Sequence, residues 1–166
     1  ALRRHGPREL LSQVDPARAL LDAVIAFYGG QGGSGDAGEM LDAVRADLAA
    51  ATPLQSAPRA IAASALLDDA LPRTAFGAVI AQAAHQFRWR QNPNYSAATM
   101  GDAFMAGYGY VEFAGPKEAL FHAPDTRVGL LLLGPHLHYP AHAHPAEEIY
   151  HPLTDGGLWR RGEEDW

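Results

Sequence analysis

Apolar side chains in the first part of the chain recur with the 3.6-residue period of a helix. Asp15 suits an N-cap and Pro16 a first helical residue, and paired glycines end the apolar face that follows. That face consists of Leu20, Leu21, Val24, Ile25 and Tyr28. Two further helices are predicted, one over residues 39–51 and one that begins after Thr74. Residues 1–96 are therefore expected to form a helical N-terminal extension.

A glycine-rich stretch separates the first two helices. Residues 29–38 contain six glycines and predict a flexible linker. The stretch lacks the Gly-Lys-Ser/Thr ending and the preceding strand of a phosphate-binding loop, so a phosphate site is not expected there.

From about residue 107 the period changes to two, which is typical of strands. Tyr108, Tyr110 and Glu112 alternate with Val111 and Phe113, so the two sets are expected on opposite faces of the first strand. The predicted strands are residues 107–113, 127–135, 147–153 and 157–161. Short strands separated by Gly and Pro predict an antiparallel sandwich or barrel.

Composition limits the partners and the metal ligands that the chain can have. The chain has 166 residues, 48% of them hydrophobic, with a formal net charge of −6 and no Cys. An acidic chain argues against a nucleic-acid partner, and the absence of Cys leaves His, carboxylate, phenol and water as metal ligands. No apolar run approaches the length of a membrane span, and no signal-peptide core follows the basic N-terminus. We therefore expect a cytoplasmic protein without a membrane partner.

The candidate chemistry lies in the segment "YPAHAHPAEEIYHP", residues 139–152. His142 and His144 share a face in an extended chain, and Glu148 and Tyr150 share a face after the Pro145 bend. A hairpin-like return would bring the four together. Two imidazoles and a carboxylate suit Zn²⁺, Fe²⁺, Mn²⁺, Co²⁺ or Ni²⁺, so a divalent transition metal is predicted.

Most isolated His-x-His pairs occur by chance. Here Glu148 follows His144 by four residues, at a spacing that suits a third metal ligand, and this favours a metal site. Glu147 and His151 have the opposite parity and are expected outside the site. His136 and His138 are either a neighbouring polar patch or substrate contacts, and these alternatives stay open.

These residues resemble the first motif of the cupin superfamily, in which His-x-His and a Glu lie between two glycines. The core "HAHPAEE" fits, but His136 occupies the place of the opening glycine and Asp155 that of the closing one, with Gly156 directly after. The longer string "YPAHAHPAEEIYHPL" is similar to the cupin dimethylsulfoniopropionate (DMSP) lyases, and most like the subgroup with a helical N-terminal extension, DddL or DddQ.

The resemblance implies roles for particular residues. The metal ligands would be His142, His144 and Glu148, with Tyr150 as a further ligand or the catalytic base. The remaining aromatic residues would line the pocket and hold the substrate's sulfonium by cation–π contact. These residues are Tyr139, Tyr110 and a Trp, either Trp159 or Trp166.

The implied reaction is β-elimination of DMSP to dimethyl sulfide and acrylate, with the metal binding the substrate carboxylate as a Lewis acid. The implied fold is α+β, with residues 97–166 forming the N-terminal part of an antiparallel cupin (jelly-roll) barrel. The family's second motif supplies another metal His, and no His follows His151, so the barrel is expected to be incomplete at the C-terminus.

Two other classes of function stay open at this point. Another metal-dependent cupin enzyme, an isomerase or a dioxygenase, would use the same ligands, and a non-catalytic cupin would bind a small molecule without turnover. The expected partner is a small-molecule sulfonium substrate, and a homodimer is left open.

Overall fold

The computed structural model describes residues 15–30, 35–160 and 162. The α-helices are α1 (Pro16–Gly29), α2 (Asp36–Ala49), α3 (Leu67–Ala70), α4 (Ala75–Ala83), α5 (Ala97–Met100) and α6 (Asp102–Gly107). Two 3₁₀-helices cover Ala62–Leu66 and Ala84–Gln86. The strands are β1 (Thr52–Pro53), β2 (Tyr108–Gly115), β3 (Phe121–His122) and β4 (Val128–Leu133). Among the described helices, none combines the length and apolar character that crossing a membrane would require.

Side-chain caps fix the starts of two predicted helices. The Asp15 carboxylate accepts a hydrogen bond from the Ala17 N–H at 3.1 Å, and α1 buries the apolar face that the sequence predicts. The Thr74 hydroxyl accepts one from the Gly77 N–H at 3.1 Å and starts α4. Both helix predictions are confirmed.

The connector between α1 and α2 is shorter than the predicted linker over residues 29–38. Gly29 ends α1, and α2 begins at Asp36, three residues before the predicted start. Asp36 and Glu39 lie in the first turn of α2, where carboxylates interact favourably with the helix dipole. Residues 31–34 of the linker lie outside the described residues.

The four strands form one sheet in the order β1-β3-β2-β4. β2 and β4 pair antiparallel from Tyr108↔Leu133 to Ala114↔Val128, with an irregularity after Glu112. β2 and β3 pair in parallel, so the sheet is mixed and the predicted antiparallel barrel is not confirmed. The reason is local: β3 has only two residues, and the loop 116–120 brings it alongside the end of β2.

Two predicted strands are absent from the described structure. Residues 147–153 and 157–160 are irregular, and β4 pairs only with β2 among the described residues. A strand requires a neighbour for its N–H and C=O groups, and Pro152 contributes no N–H. The alternating pattern alone was therefore insufficient to predict a strand here.

One hydrophobic core joins the helices to one face of the sheet. Val111, Phe113 and Leu132 belong to the same cluster as Leu20 and Ile80 from the helices. The opposite face of β2 carries Tyr108, Tyr110 and Glu112, as the alternation predicts. The division into domains at residues 96 and 97 stays a prediction.

Candidate metal centre

The candidate metal centre lies in the irregular segment after β4, and three contacts attach this segment to the fold. The Tyr139 ring lies 5.5 Å from the Tyr108 ring, centroid to centroid. The His151 ring lies edge-on to Phe27 at 4.6 Å, and Leu153 packs against the core. These anchors hold the segment without strand pairing.

Three metal-binding side chains converge in this segment. His142, His144 and Glu148 each offer a ligand atom, and these atoms all lie within 4.8 Å of one another. Two ligand atoms bound to one ion at about 2.1 Å each are at most about 4.2 Å apart. Binding a metal therefore requires these three ligand atoms to move only slightly closer together. The predicted ligand set is therefore brought together.

Hydrogen bonds fix the histidine tautomers in a form that suits a metal. The Nδ1 atoms of His142 and His144 lie 3.0 Å from the carbonyl oxygens of Pro140 and Ala146, respectively. A carbonyl only accepts, so Nδ1 donates in each contact, and in the neutral imidazole Nε2 then presents a lone pair. The two Nε2 atoms are the ones available to bind a cation.

The contact between His144 and Glu148 supports the same conclusion. His144 Nε2 lies 3.0 Å from Glu148 Oε1. With the proton on Nδ1, a neutral imidazole places a lone pair against the carboxylate, and two acceptors at this distance repel. A cation between them, whether a proton or a metal ion, removes the repulsion. A protonated imidazole accounts for this contact as well as a metal does, and it is the donor types and their spacing that fit a divalent metal.

Tyr150 completes the constellation by holding the carboxylate. Its hydroxyl donates to Glu148 Oε2 at 2.7 Å, which orients the other oxygen towards His144. Loss of water, followed by the hydrogen bond to Glu148 and its negative charge, raises the pKa of Tyr150 above its ordinary range. In the absence of a metal, Tyr150 is a proton donor.

The wall beside the ligands is aromatic. The Tyr139 ring lies 4.6 Å from the His142 ring and also contacts three other rings. Those rings belong to Tyr95 at 6.4 Å, Phe104 at 6.0 Å and Tyr108 at 5.5 Å. Tyr139 therefore links an aromatic cluster to the proposed ligands, and its role in lining a substrate pocket stays a prediction.

The other aromatic residues predicted for the pocket lie outside the cluster of rings around Tyr139 or contact only its edge. Trp159 lies 5.1 Å from the Tyr150 ring and is 55% exposed. Tyr110 contacts Tyr108 at 6.5 Å, and the Arg90 guanidinium covers its ring at 5.0 Å. Trp166 lies outside the described residues.

The residues around the centre differ in part from the prediction. The two imidazoles, Glu148 and Tyr150 were expected to come together at the site of a barrel, and all four are exposed. No second layer of sheet covers them within the described residues. Glu147 is exposed, as predicted. His138 lines an open pocket of about 330 Å³ between α5, α6 and Pro140.

Sequence reasoning missed three members of the aromatic cluster: Tyr95, Phe104 and Tyr108. Tyr108 could have been found, because it shares a strand face with Tyr110. Tyr95 follows the turn formed by "NPN" and Phe104 lies on the short helix α6, and no periodic pattern connects either to the ligand segment.

Comparisons with known proteins point to one family. A sequence model of the DMSP lyase family matches residues 40–166. In three dimensions the chain is similar to a solved structure described as "Crystal structures of DMSP lyases RdDddP and RnDddQII", with a TM-score of 0.51 and 18% identity. That similarity covers 69% of this chain and 56% of the other, so this chain spans little more than half of its length.

The likeness to the solved structure concerns the fold alone at this level of identity. No curated protein gives a significant match to the sequence. The family match, by contrast, covers most of the chain and includes every residue of the candidate metal centre. The chain belongs to the DMSP lyase family.

Proposed function

We propose that this protein is a metal-dependent lyase that cleaves DMSP to dimethyl sulfide and acrylate. The observation that carries the proposal is the convergence of His142, His144 and Glu148, with Tyr150 hydrogen-bonded to the carboxylate. This constellation lies inside the segment that matches the DMSP lyase family.

The donor set determines which metals fit. Two imidazole nitrogens and one carboxylate oxygen suit a divalent transition metal such as Zn²⁺, Fe²⁺, Mn²⁺, Co²⁺ or Ni²⁺. Bound by these three residues, such an ion would act as a Lewis acid towards the substrate carboxylate. His142 Nε2, His144 Nε2 and a Glu148 oxygen would hold it.

Tyr150 is the proposed general base. Its phenolate oxygen removes a proton from the carbon next to the substrate carboxylate, and the electron pair of that C–H bond becomes the new C=C bond. The bond between the β-carbon and sulfur breaks, and its electrons leave with neutral dimethyl sulfide. The products are acrylate and dimethyl sulfide, and the proton resides on the Tyr150 hydroxyl.

Aromatic residues near Tyr150 are proposed to bind the sulfonium end of the substrate. Tyr139 lies against His142 and Trp159 against Tyr150, so the two rings flank the ligand set. A cation over one such ring gains about 0.5–2 kcal/mol. Tyr110 and Trp166 are further candidates, although Arg90 already covers one face of Tyr110.

The sheet is proposed to be one wall of a cupin (jelly-roll) barrel. The face of β2 that carries Tyr108, Tyr110 and Glu112 would then line the barrel interior.

The proposal is tested by product analysis with the metal-loaded full chain. Wild type should release dimethyl sulfide and acrylate from DMSP in a 1:1 ratio without consuming oxygen. Tyr150→Phe should retain metal and lose at least about 100-fold in rate, the usual contribution of a general base. Tyr28→Phe, which removes a half-buried hydroxyl from α1, is the matched control and should retain the wild-type rate.

Normal turnover by Tyr150→Phe would overturn the assigned base. Oxygen-dependent product formation, or ligand binding without products, would overturn the lyase assignment itself.

A further inference from the structure

The last turn of α1 presents an aromatic side chain to the irregular segment that carries the metal ligands. Leu20, Val24 and Phe27 follow one another at helical spacing, and the first two are buried in the core. Phe27 is half-buried, and its ring meets the His151 ring at 4.6 Å with an angle of 86° between the planes. Aromatic rings favour this edge-to-face arrangement over a parallel sandwich. A helix fixed in the core thus contacts the residue that follows Tyr150.

A second helix holds the Phe27 ring. The Phe76 ring of α4 stacks on it at 5.0 Å, with an angle of 12° between the planes. α4 is capped at Thr74 and buries Ile80 in the same core as α1. The position of the Phe27 ring is therefore set by two helices of the core, and His151 packs against a fixed partner.

The hydrogen bonds of the metal centre are local. Those described above for His142, His144 and Tyr150 each join residues only two positions apart. Such bonds shape the segment, but they leave its place relative to the helices and the sheet undetermined. Packing contacts fix that place, with Tyr139 before the ligands and His151 after them. The three ligands lie between these two anchors.

We propose that Phe27 is a positioning residue for the metal centre. By packing on His151 it fixes the backbone beside Tyr150, whose hydroxyl orients Glu148. Leu153 packs against the core two residues further on, whereas His151 is the contact adjacent to Tyr150. This inference rests on the proposed function in assuming that Glu148 binds a metal.

The proposal makes α1 part of the functional unit. The match to the DMSP lyase family covers residues 40–166, and Phe27 lies before them. Without its contact to His151, the chain around Glu148 and Tyr150 has more conformations available, and a metal must order that chain on binding. Ordering the backbone of one residue costs enough conformational entropy to weaken binding by about tenfold.

The test is the Zn²⁺ affinity of the full chain, measured without substrate by competition with a chromophoric chelator. His151→Ala and Phe27→Leu should each weaken Zn²⁺ binding by about tenfold, under conditions in which circular dichroism shows the variants to be folded. His151 is exposed, so its substitution leaves the core intact. His85→Ala removes another exposed imidazole, one that contacts the Gln82 carbonyl, and is the matched control with unchanged affinity expected.

An aromatic replacement separates packing from metal binding by His151 itself. His151→Phe keeps an aromatic ring for Phe27 and has no nitrogen that could bind a metal, so it should restore the wild-type affinity. An affinity of His151→Phe as weak as that of His151→Ala would overturn the inference.

A double-mutant cycle tests whether Phe27 acts through His151. In that case Phe27→Leu should cause no further loss of affinity in a His151→Ala background. Losses that multiply in the double variant would overturn the inference, as would a Phe27→Leu affinity equal to that of wild type.

The same variants separate this inference from the lyase proposal. Zn²⁺ affinity is measured whether or not the protein releases dimethyl sulfide, so a protein without lyase activity can still show the predicted cycle. An active protein whose Zn²⁺ affinity is indifferent to both substitutions would overturn the positioning role alone.

Discussion

At the scale of single residues, Glu148 determines the chemistry of its neighbours. One of its oxygens faces His144 Nε2 at 3.0 Å, and the other accepts the Tyr150 hydroxyl at 2.7 Å. Loss of water raises the pKa of Tyr150 most, and the hydrogen bond to the metal-free Glu148 carboxylate and its charge raise it further, so Tyr150 stays protonated. A cation that neutralises Glu148 removes part of this effect and favours the phenolate.

This relation predicts how the rate depends on pH. The active form of Tyr150 is the phenolate, and the raised pKa of Tyr150 leaves little of it at neutral pH. The kcat/KM of the metal-loaded enzyme should therefore rise with pH, by about tenfold per unit below the pKa of the metal-bound form. The measurement is a pH series of dimethyl sulfide release by wild type and Tyr150→Phe.

The residual rate of Tyr150→Phe should lack this rise. A wild-type rate that falls as the pH increases from 7 to 9 would contradict the role of Tyr150, provided that the metal stays bound.

At the scale of elements, one face of β2 carries both the aromatic Tyr108 and Tyr110 and the charged Glu112. Glu112 has only 10% of its side chain exposed, and it contacts Arg90 at 2.7 Å and Arg127 at 2.8 Å. Arg90 Nε and Nη2 and Glu112 Oε2 are buried without an aligned hydrogen bond among the described residues, despite the short Arg90–Glu112 contact. The attraction between Arg90 and Glu112 therefore comes more from their opposite charges than from well-aligned hydrogen bonds.

Breaking this ion pair is predicted to destabilise the fold. Glu112→Ala leaves the Arg90 guanidinium, 15% exposed, without its buried partner, which should reduce the free energy of unfolding by about 3 kcal/mol. Urea denaturation monitored by circular dichroism measures the change. Glu118→Ala is the matched control, because Glu118 also pairs with Arg90 but is half exposed and should matter little. Equal effects of the two variants would contradict this account of the pair.

The elements also show what the sequence could and could not predict. Helices α1 and α4 were predictable because caps and apolar periodicity lie within each segment, at Asp15 and Thr74. β2 and β4 were predictable for the same local reason. The parallel β3 and the irregular course of residues 147–153 were not, because pairing depends on which neighbour is available. The convergence of His142, His144 and Glu148 was predictable from their spacing, whereas the approach of Tyr95 and Tyr108 to this segment required the fold.

At the scale of the whole molecule, the helices and the sheet share one core, and the metal centre lies outside it. Leu20 of α1 and Val111 of β2 belong to the same buried cluster, whereas the ligand residues are exposed. Changes in the core should therefore affect stability, and changes in the ligand segment should affect metal binding with little effect on stability.

Leu20→Ala tests this separation. Leu20 is fully buried, and its truncation should reduce the free energy of unfolding by about 2–5 kcal/mol. Leu158→Ala is the control, because Leu158 is 76% exposed and the change should stay within about 0.5 kcal/mol. Both variants should bind Zn²⁺ like wild type under conditions in which they are folded. A large loss of stability in Leu158→Ala would place the ligand segment inside the core.

The central claim is that a metal held by His142, His144 and Glu148 is required for DMSP cleavage. The most direct measurement is headspace dimethyl sulfide from the full chain as isolated, after removal of metal by a chelator, and after addition of each candidate divalent metal in turn. We predict that release stops on chelation and returns with at least one metal in wild type, and that no metal restores it in His144→Ala. Unchanged release after complete removal of metal would contradict the account.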